Sequence, residues 1–463
     1  MTIERQLAGD VEVKVSIYRN GKRLQNAQGA YDVYEYITGF EVYESLTSAT
    51  LEAKIIVEDS GGFLGAMTGS ELFKIQIIGS IVDRTYYFRA YEIESRTRFN
   101  TKDSFIVNCV SDEFLKNEVT NVFGNSKIVF NDETEASKII NFILKNKDYL
   151  NTKKKFISEE TLNKQQFIAT NWRPFDCIYW LAQRSIRKAE KGGTLQNGFL
   201  FYENALGYNF KSIDAIIDGV NKQSLKDGQS VKNATDFQSG EKTKLYNYVY
   251  TPTKIDDQGS DQFKISTIVF PEEKNFLSGL RHGTWSGFSI GFDPVTITSS
   301  KMGVSTDMSA DAYRYKLTDL WPKMSHIGEK KAINPITQMD ESIQAMIDYP
   351  KRVRYTMLPN QNFDPKFQQN PQSTYAELVE LQAYQYLRIE SLKTTKLMIQ
   401  IPGNLDLYVG TGISLDIPAT YKQGSKVELD KKYSGRYVIA ALTHKIVNTT
   451  MTTEALLLKD SIV

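Results

Sequence analysis

The segment YVIAALTHKIVNTTMTTEALLLKD (residues 437–460) follows the same plan as an earlier segment, FRAYEIESRTRFNTKDSFIVNCVSD (residues 88–112). Each has an apolar run, a polar turn and a second apolar run that closes on an aspartate. Alternation of apolar and polar side chains is typical of half-buried β-strands. The closing aspartate lies 23 positions after Tyr437 in one segment (460 − 437) and 24 after Phe88 in the other (112 − 88). The sequence therefore predicts one β-hairpin plan that occurs twice.

The residues before each hairpin are also similar. GSELFKIQIIG (69–79) precedes the first hairpin, GTGISLDIPA (410–419) precedes the second, and each combines a glycine with an alternating run. Few residues are identical between the two segments, so chance similarity between two β-hairpins is one interpretation. Internal duplication of one antiparallel β-barrel is the other.

Residues 1–118 consist of short alternating runs around the first hairpin. In VEVKVSIY (11–18) aliphatic residues alternate with polar ones, and ATLEAKIIVED (49–59) repeats this pattern. The glycine cluster in SGGFLGAMTGSE (60–71) predicts a turn. We therefore expect a β-barrel or sandwich of about six short strands in this part of the chain.

Residues 119–235 predict an α/β middle domain, which we expect to continue in residues 271–345. ETEASKIINFILKNKDYL (133–150) and RPFDCIYWLAQRSIRKAEK (173–191) each place apolar residues on one helical face. GFLFYENALGYNFKSIDAI (198–216) predicts a hairpin, with turn residues in its middle.

Residues 236–270 and 346–463 predict a second, discontinuous antiparallel barrel, which follows a polar surface loop or linker (219–243). Before its final strands, STYAELVELQAYQYLRIES (373–391) predicts a helix with a Ser/Thr cap. That helix is apolar over most of its circumference, so we expect it to pack on two sides. The predicted fold class is therefore α+β and mainly β, with two antiparallel β-barrel domains and an α/β middle domain.

Composition excludes several classes of protein. The chain has 463 residues, of which 41% are hydrophobic, and this length favours about three domains. The 56 basic and 55 acidic residues nearly balance, which argues against a dedicated nucleic-acid-binding protein. The two cysteines, Cys109 and Cys177, form no disulfide framework and indicate a reducing compartment. We expect neither a secretory signal peptide nor a membrane-spanning helix, because no long uncharged apolar stretch occurs.

The sequence contains no recognisable catalytic, metal-binding or cofactor-binding motif, so we predict no such residues. His282, His326 and His444 lie outside metal-ligand spacing, and His444 fits a packed or interface side chain in a strand. The lysine-rich stretch 145–155 favours a solvated loop over a phosphate site. DDQGSD (256–261) begins like an EF-hand loop but lacks the glutamate that calcium binding needs.

The chain resembles the baseplate hub proteins of contractile-tailed bacteriophages, which are related to the N-terminal part of type VI secretion spike proteins. The resemblance is weakest over residues 219–373. The segments that carry it are GFEVYESLTSATLEAKIIVEDSGGFL (39–64), YYFRAYEIES (86–95), FIVNCVSDEFLKNE (105–118), NWRPFDCIYWLAQRSI (171–186), GFLFYENALGYNF (198–210), LMIQIPGNLDLYVGTGISLDIP (397–418) and SGRYVIAALTHKIV (434–447).

This resemblance implies two tail-tube-like barrels and an α/β domain in each subunit. Three subunits would form a homotrimeric ring with pseudo-sixfold symmetry, which joins the hexameric tail tube protein to the trimeric central spike protein. The ring would surround a channel for the tape measure protein and for the transient passage of DNA. The implied location is the tail baseplate of the virion, assembled in the host cytoplasm, with no membrane partner and no enzymatic activity.

Seven apolar residues are the predicted contacts within and between barrels: Leu378, Leu381, Tyr384, Leu387, Ile399, Leu415 and Ile439. Two other functions stay open. Abundant aromatic residues on β-domains suit a carbohydrate-binding tail adhesin, and a carboxylate pair among the 55 acidic residues would suit a cell-wall hydrolase. The hub accounts for the repeated barrel plan, which the other two functions leave unexplained.

Overall fold

The computed structural model shows a mainly β protein with several short helices. It describes residues 8–25, 29, 32–60, 67–79, 81–123, 130–167, 169–188, 196–225, 244–251, 262–271, 276–293, 298–299, 314–347, 349, 352–357, 371–419 and 428–462. Among these residues, no helix has the length and apolar character that crossing a membrane requires.

The strands within the described ranges have the following bounds: β1 (Glu12–Arg19), β2 (Lys22–Arg23), β3 (Ile37–Ser45), β4 (Glu52–Asp59), β5 (Leu72–Ile78), β6 (Asp83–Phe99), β7 (Lys102–Val110), β8 (Val122–Phe123), β9 (Phe130–Glu135), β10 (Phe156–Ser158), β11 (Lys164–Phe167), β12 (Thr170–Trp172), β13 (Phe199–Asn204), β14 (Gly207–Ser212), β15 (Ser224–Leu225), β16 (Lys244–Val249), β17 (Thr267–Val269), β18 (Ser286–Asp293), β19 (Thr298–Ser299), β20 (Arg314–Lys316), β21 (Val353–Met357), β22 (Thr395–Pro402), β23 (Gly412–Asp416), β24 (Gly435–Val447) and β25 (Thr450–Lys459). The α-helices are α1 (Asp112–Val119), α2 (Ala136–Lys145), α3 (Pro174–Arg184), α4 (Ile213–Lys222), α5 (Phe276–His282), α6 (Leu317–Leu320), α7 (Glu341–Ile347) and α8 (Pro371–Leu392).

Fourteen strands form one large sheet, and their order falls into two halves of seven strands. The first unit has the order β3-β4-β7-β6-β5-β1-β2, and the second unit has the order β17-β22-β25-β24-β23-β16-β15. In the first unit the adjacent strands β3, β4, β7, β6 and β5 all pair antiparallel. In the second unit the adjacent strands β17, β22, β25, β24 and β23 do so as well. The outer strands differ, since β1 is antiparallel to β5 whereas β16 is parallel to β23. One arrangement of five strands therefore occurs twice.

Both predicted hairpins are present, and their registers correspond. The first is β6–β7 and the second is β24–β25, and each two-residue turn begins with a left-handed asparagine, Asn100 (φ 55°) or Asn448 (φ 54°). Asparagine is one of the few residues besides glycine that adopt this conformation readily. Each first strand has a β-bulge at the corresponding place, after Ala90 in β6 and after Ile439 in β24. A second bulge nearer the turn of β6 accounts for the extra residue of the first hairpin.

Each unit covers its own cluster of buried apolar side chains. Alternate residues of the strands point into these clusters, as the period-two pattern predicts. The cluster under the first unit also contains Leu405, Ile446 and Met451, and the cluster under the second unit also contains Leu46. Each core therefore contains side chains from the other unit, so the two units stabilise each other.

The middle of the chain forms a third cluster, in which α2 and α3 pack on the hairpin β13–β14. The helices that the sequence predicted over 133–150 and 173–191 are present but shorter, as α2 (Ala136–Lys145) and α3 (Pro174–Arg184), and residues 133–135 belong to β9 instead. Pro174 lies at the first turn of α3, where its missing N–H leaves no hydrogen bond unsatisfied.

Helix α4 corrects the sequence prediction for residues 213–222, which were assigned to the end of a hairpin and the start of a loop. Its buried residues Ile213, Ile216, Ile217 and Val220 have the spacing of one helical face. The Ser212 hydroxyl caps the helix by accepting a hydrogen bond from the backbone N–H of Ala215 at 3.0 Å. Sequence reasoning overlooked this cap and followed the strand pattern past its end.

Helix α8 is present but begins at Pro371, two residues before the predicted Ser/Thr cap, and it packs against a separate four-stranded sheet. That sheet has the order β19-β18-β20, and β21 pairs with β18. Buried residues of α8 share a fourth apolar cluster with side chains of β20, α6 and α7. The helix thus lies between this small sheet and the second unit of the large sheet.

Candidate functional site

The two units of the large sheet are joined by strand pairing between β24 and β3. Seven residue pairs form this junction, from Ala441 opposite Ser45 to Val447 opposite Gly39. The first residues of β24 pair with β23 instead. Strand β25 pairs with one side of β24. Strands β23 and β3 therefore share the other side, where β3 follows β23 along the length of β24. The junction is therefore the place where one unit follows the other in a continuous sheet.

Several contacts reinforce the junction. Lys445 of β24 lies 3.8 Å from the Glu41 carboxylate of β3 and 3.1 Å from that of Glu454. The backbone N–H of Val11 donates to the carbonyl of Thr449 at 2.8 Å, which ties the start of the first unit to the turn of the second hairpin. The junction therefore joins segments that are far apart in the sequence.

Glu44 lies buried at this junction, with only 2% of its surface exposed. The backbone N–H groups of Ala205 and Val409 donate to its carboxylate at 2.9 and 3.1 Å. Burial raises the pKa of Glu44 to about 8, because these hydrogen bonds and the charge of Arg84 offset only part of the lost hydration. Glu44 thus links β3 to the hairpin β13–β14 and to the loop before β23.

We expect replacement of Glu44 by glutamine to weaken the pH dependence of stability. The pKa of this carboxyl group is raised from its ordinary value of 4.5 to about 8 in the folded chain, so the folded state binds the proton more tightly. Its contribution to stability is therefore complete below about pH 4.5 and is lost as the pH rises through about 8. Urea unfolding at several pH values in this window should show a smaller decline for Glu44→Gln than for the wild type.

The matched control for this prediction is Glu41→Gln, because Glu41 lies on the same strand and its side chain is 32% exposed. We expect its free energy of unfolding to follow the wild-type pH dependence. Equal slopes for the wild type and Glu44→Gln would contradict the assignment of a raised pKa to Glu44.

A cluster of charged side chains is buried where α8 meets the end of the second hairpin. Arg388 of α8 has no exposed surface, and its Nη1 lies 3.0 Å from Oδ2 of Asp460 while its Nε lies 3.3 Å from Oδ1 of Asp214. His326 Nδ1 lies 2.9 Å from the same oxygen of Asp460. The Tyr384 hydroxyl donates to Asp214 at 2.9 Å. One arginine therefore bridges α4, α8 and the aspartate that closes the second hairpin.

The two carboxylates of this arginine cluster differ in their electrostatics. Burial raises the pKa of Asp214, and the charge of Arg388 offsets this only in part. Burial also acts against ionisation of Asp460, but the hydrogen bond with His326 and the charge of Arg388 outweigh it and hold the pKa of Asp460 below its ordinary value. Because every member is paired and enclosed, the cluster is suited to positioning α8 rather than to catalysis.

A second charged cluster ties the middle of the chain to the first unit. Lys154 Nζ lies 2.7 Å from the Glu113 carboxylate and 2.6 Å from that of Glu203. The hydroxyl of Thr152 donates to Glu113, and that of Ser111 donates to Glu203. This lysine cluster therefore joins α1, β13 and the loop after α2.

The lysine cluster corrects one detail of the sequence prediction. The side chains of Lys153 and Lys155 are exposed, as expected for a solvated loop. Lys154 between them is paired instead, and the charges of Glu203 and Glu113 raise its pKa although burial acts in the opposite direction. Sequence composition alone does not distinguish one inward lysine from its neighbours.

Part of β6 and all of β17 have one side that no other described strand covers. Residues 92–99 of β6 pair with β7 on one side, and β5 covers the other side only as far as Arg89. Strand β17 pairs with β22, and no described strand pairs with its other side. The side chains of Phe99 and Val269 on these edges are 81% and 48% exposed.

The structure places the predicted contact residues inside a single chain. Tyr384 and Leu387 are buried in the cluster beneath α8, and Leu381 of the same helix is also buried. The three strand residues Ile399, Leu415 and Ile439 are buried beneath the second unit. Leu378 lies in α8, but its side chain is outside the described residues. Packing within one chain accounts for the apolar character of the six described side chains, and a role between copies remains a prediction.

The histidines and cysteines occupy packed or paired positions. His444 is fully buried, Nδ1 lies 2.9 Å from the Thr453 hydroxyl, and burial lowers the pKa of His444 to about 4. Cys109 and Cys177 are buried free thiols. No group of three or more potential ligands within the described ranges is arranged to hold a metal ion. The predicted EF-hand-like segment 256–261 lies outside the described residues.

Comparison with known proteins identifies the fold. No family model and no curated protein matches the sequence. Among solved structures, a 43 kDa tail protein of prophage MuSo2 from Shewanella oneidensis is similar over 97% of this chain and 99% of its own, with a TM-score of 0.50 and 10% identity. The fold is that of a prophage tail protein. The resemblance to phage tail proteins is thereby confirmed at the level of the fold.

Other similar structures include a second tail protein and a chain of a PdpA–VgrG complex. A tail protein from Neisseria meningitidis MC58 is similar over 97% of both chains, with a TM-score of 0.49 and 8% identity. A chain of the Francisella PdpA–VgrG complex is similar over 98% of this chain and 53% of its own, with a TM-score of 0.44 and 9% identity. At such low sequence identity these similarities concern the fold alone.

Proposed function

We propose that this protein is a structural hub in the baseplate of a contractile phage-type tail. Three copies form a ring that joins the hexameric tail tube protein on one face to the trimeric central spike protein on the other. The ring surrounds a channel for the tape measure protein and for the transient passage of DNA. The protein acts without catalysis, and it enters the virion after assembly in the host cytoplasm.

The repeated strand order is the observation that carries this proposal. One chain contains two units of seven strands, of which five have the same order and antiparallel pairing in both units, and the two units pair directly across the junction of β24 with β3. Three such chains present six similar units, which matches a sixfold partner on one face and a threefold partner on the other. A single-unit chain has no comparable means of joining the two symmetries.

Most strands of each unit lie within one proposed domain, and β15 of the second unit lies within residues 119–235, the proposed middle domain. The seven strands of the first unit lie within residues 1–118, the proposed first barrel. Strands β16 and β17 lie within residues 236–270 and β22 to β25 lie within residues 346–463, the two parts of the proposed second barrel. Residues 119–235 with 271–345 are the proposed middle domain.

The mass of the purified protein in solution tests the ring. We expect light scattering coupled to size exclusion to give a species near three times the 52.7 kDa chain mass, alone or with the spike protein added. Addition of the spike protein serves as the second condition, because a threefold partner stabilises the trimer by mass action. A persistent monomer in both conditions would contradict the hub and favour an adhesin.

A further inference from the structure

We propose that the open edge of β6 binds β17 of a second copy of this chain, so that the sheet continues from one copy to the next. This inference rests on the proposed ring and names the strands that close it. Both edges carry unpaired backbone hydrogen-bonding groups among the described residues, and such edges are templates for pairing with another chain.

The internal junction provides the template for this contact. Strand β24 lies between β25 and β23 in the second unit, just as β6 lies between β7 and β5 in the first. Strand β17 begins the order of the second unit, just as β3 begins that of the first. The junction pairs β24 with β3. The equivalent pair with the two units exchanged is β6 of the first unit with β17 of the second, and the single chain does not form this pair.

The positions of β3 and β17 correspond residue by residue. In the first unit Glu52 lies opposite Val110, and in the second unit Lys396 lies opposite Leu458 at the same place in the hairpin. Two residues further along β4, Lys54 lies opposite Glu41 of β3. Two residues further along β22, Met398 lies opposite Val269 of β17. Val269 therefore occupies the position of Glu41, and Ile268 and Thr267 occupy those of Phe40 and Gly39.

The register of the contact between copies follows from the junction. There Lys445 lies opposite Glu41, Ile446 opposite Phe40 and Val447 opposite Gly39. Counting back from the turn of the first hairpin, the residues of β6 that correspond to these three of β24 are Thr97, Arg98 and Phe99. We therefore expect the pairs Thr97–Val269, Arg98–Ile268 and Phe99–Thr267 between neighbouring copies.

Exposure of one side chain supports this assignment. Phe270 follows β17 and is 48% exposed, whereas its counterpart Val42 in β3 has no exposed surface beneath the junction. A neighbouring β6 would cover Phe270 as β24 covers Val42. Burial of such an aromatic side chain would stabilise the contact between copies.

Charged side chains lie on the open edge of β6. Arg98 replaces the buried Ile446 of the internal junction, and Arg96 and Arg98 both bind Asp103, at 2.9 and 2.8 Å. Charged side chains on an edge strand oppose uncontrolled pairing. Each copy offers one edge of β6 and one edge of β17, and such a head-to-tail contact generates a closed ring when the rotation between copies permits.

A pair of cysteines tests the register. Thr97→Cys with Val269→Cys places two thiols on directly opposed residues, whose Cβ atoms in a strand pair lie about 4.5–5.5 Å apart, within reach of a disulfide. On mild oxidation we expect covalent trimers on a denaturing gel that disappear on reduction. Both positions are exposed, so the fold should be unaffected, and near-ultraviolet circular dichroism checks this.

The matched control is Thr97→Cys with Thr267→Cys, which shifts one thiol by two residues to a diagonal separation of about 7–8 Å. We expect it to cross-link at least about tenfold more slowly. Equal cross-linking in both variants, or none in a protein that light scattering shows to be trimeric, would overturn the strand pairing while leaving the hub intact. A protein that neither cross-links nor forms trimers at any concentration would overturn both.

Discussion

Replacement of Arg388 by methionine is expected to lower the free energy of unfolding by about 4 kcal/mol, the largest effect that we expect from one substitution. Methionine has a similar length and suits the buried helix, so little packing is lost. Asp214 and Asp460, however, remain fully buried without the cation that bridges them. An uncompensated buried carboxylate is costly, because neither water nor an opposite charge replaces the lost partner. Urea unfolding followed by tryptophan fluorescence measures the loss.

Lys393→Met, in the turn directly after α8, is the control for this substitution. Lys393 pairs with Glu390 at 3.2 Å, but its side chain is 45% exposed and water solvates both charges. We expect its effect to stay within about 0.5 kcal/mol. A similar loss in Lys393→Met and Arg388→Met would show that the arginine cluster contributes no more than an ordinary surface pair.

Replacement of Lys154 by methionine is expected to lower the free energy of unfolding by about 3 kcal/mol near neutral pH. It leaves the buried carboxylates of Glu113 and Glu203 facing each other without their shared cation. Protonation of either carboxyl group relieves this repulsion, so the loss should shrink as the pH falls towards about 5. Urea unfolding of both proteins at acidic and neutral pH measures this dependence.

The exposed neighbour supplies the control for Lys154. Lys153→Met removes the same charge from the same loop, but the Lys153 side chain is exposed. We expect a change of less than about 0.5 kcal/mol at either pH. If Lys154→Met lost no stability, or lost the same amount at both pH values, the lysine cluster would not have the electrostatic role that its geometry indicates.

Local patterns in the sequence predicted the hairpins well, because a half-buried strand must alternate its side chains. The sequence also showed the aspartate at the end of each hairpin, but it did not show that the two aspartates lie in different environments. Asp112 is partly exposed beside Arg89, whereas Asp460 is fully buried beside Arg388. The sequence distance between Arg388 and Asp214 hides their contact, and only tertiary packing brings them together.

Helix α4 was missed for a different reason. Its apolar residues have a clear helical spacing, but they follow a strand directly, and an apolar run of that length fits either structure. The pairing of β24 with β3 was beyond sequence reasoning as well. Nothing in one strand specifies which distant edge it meets, so the continuity of the sheet between the two units became visible only in three dimensions.

The side chains of Ile446 and Met451 in the core of the first unit have a consequence for biosynthesis. Strands β1 to β7 emerge from the ribosome early, but their core lacks these two side chains until the second hairpin has been translated. Pairing between such distant segments is slow, because a long loop must close before any contact forms. The nascent first unit therefore exposes apolar surface and an unpaired β3 edge during elongation, a state that chaperones recognise and that favours aggregation.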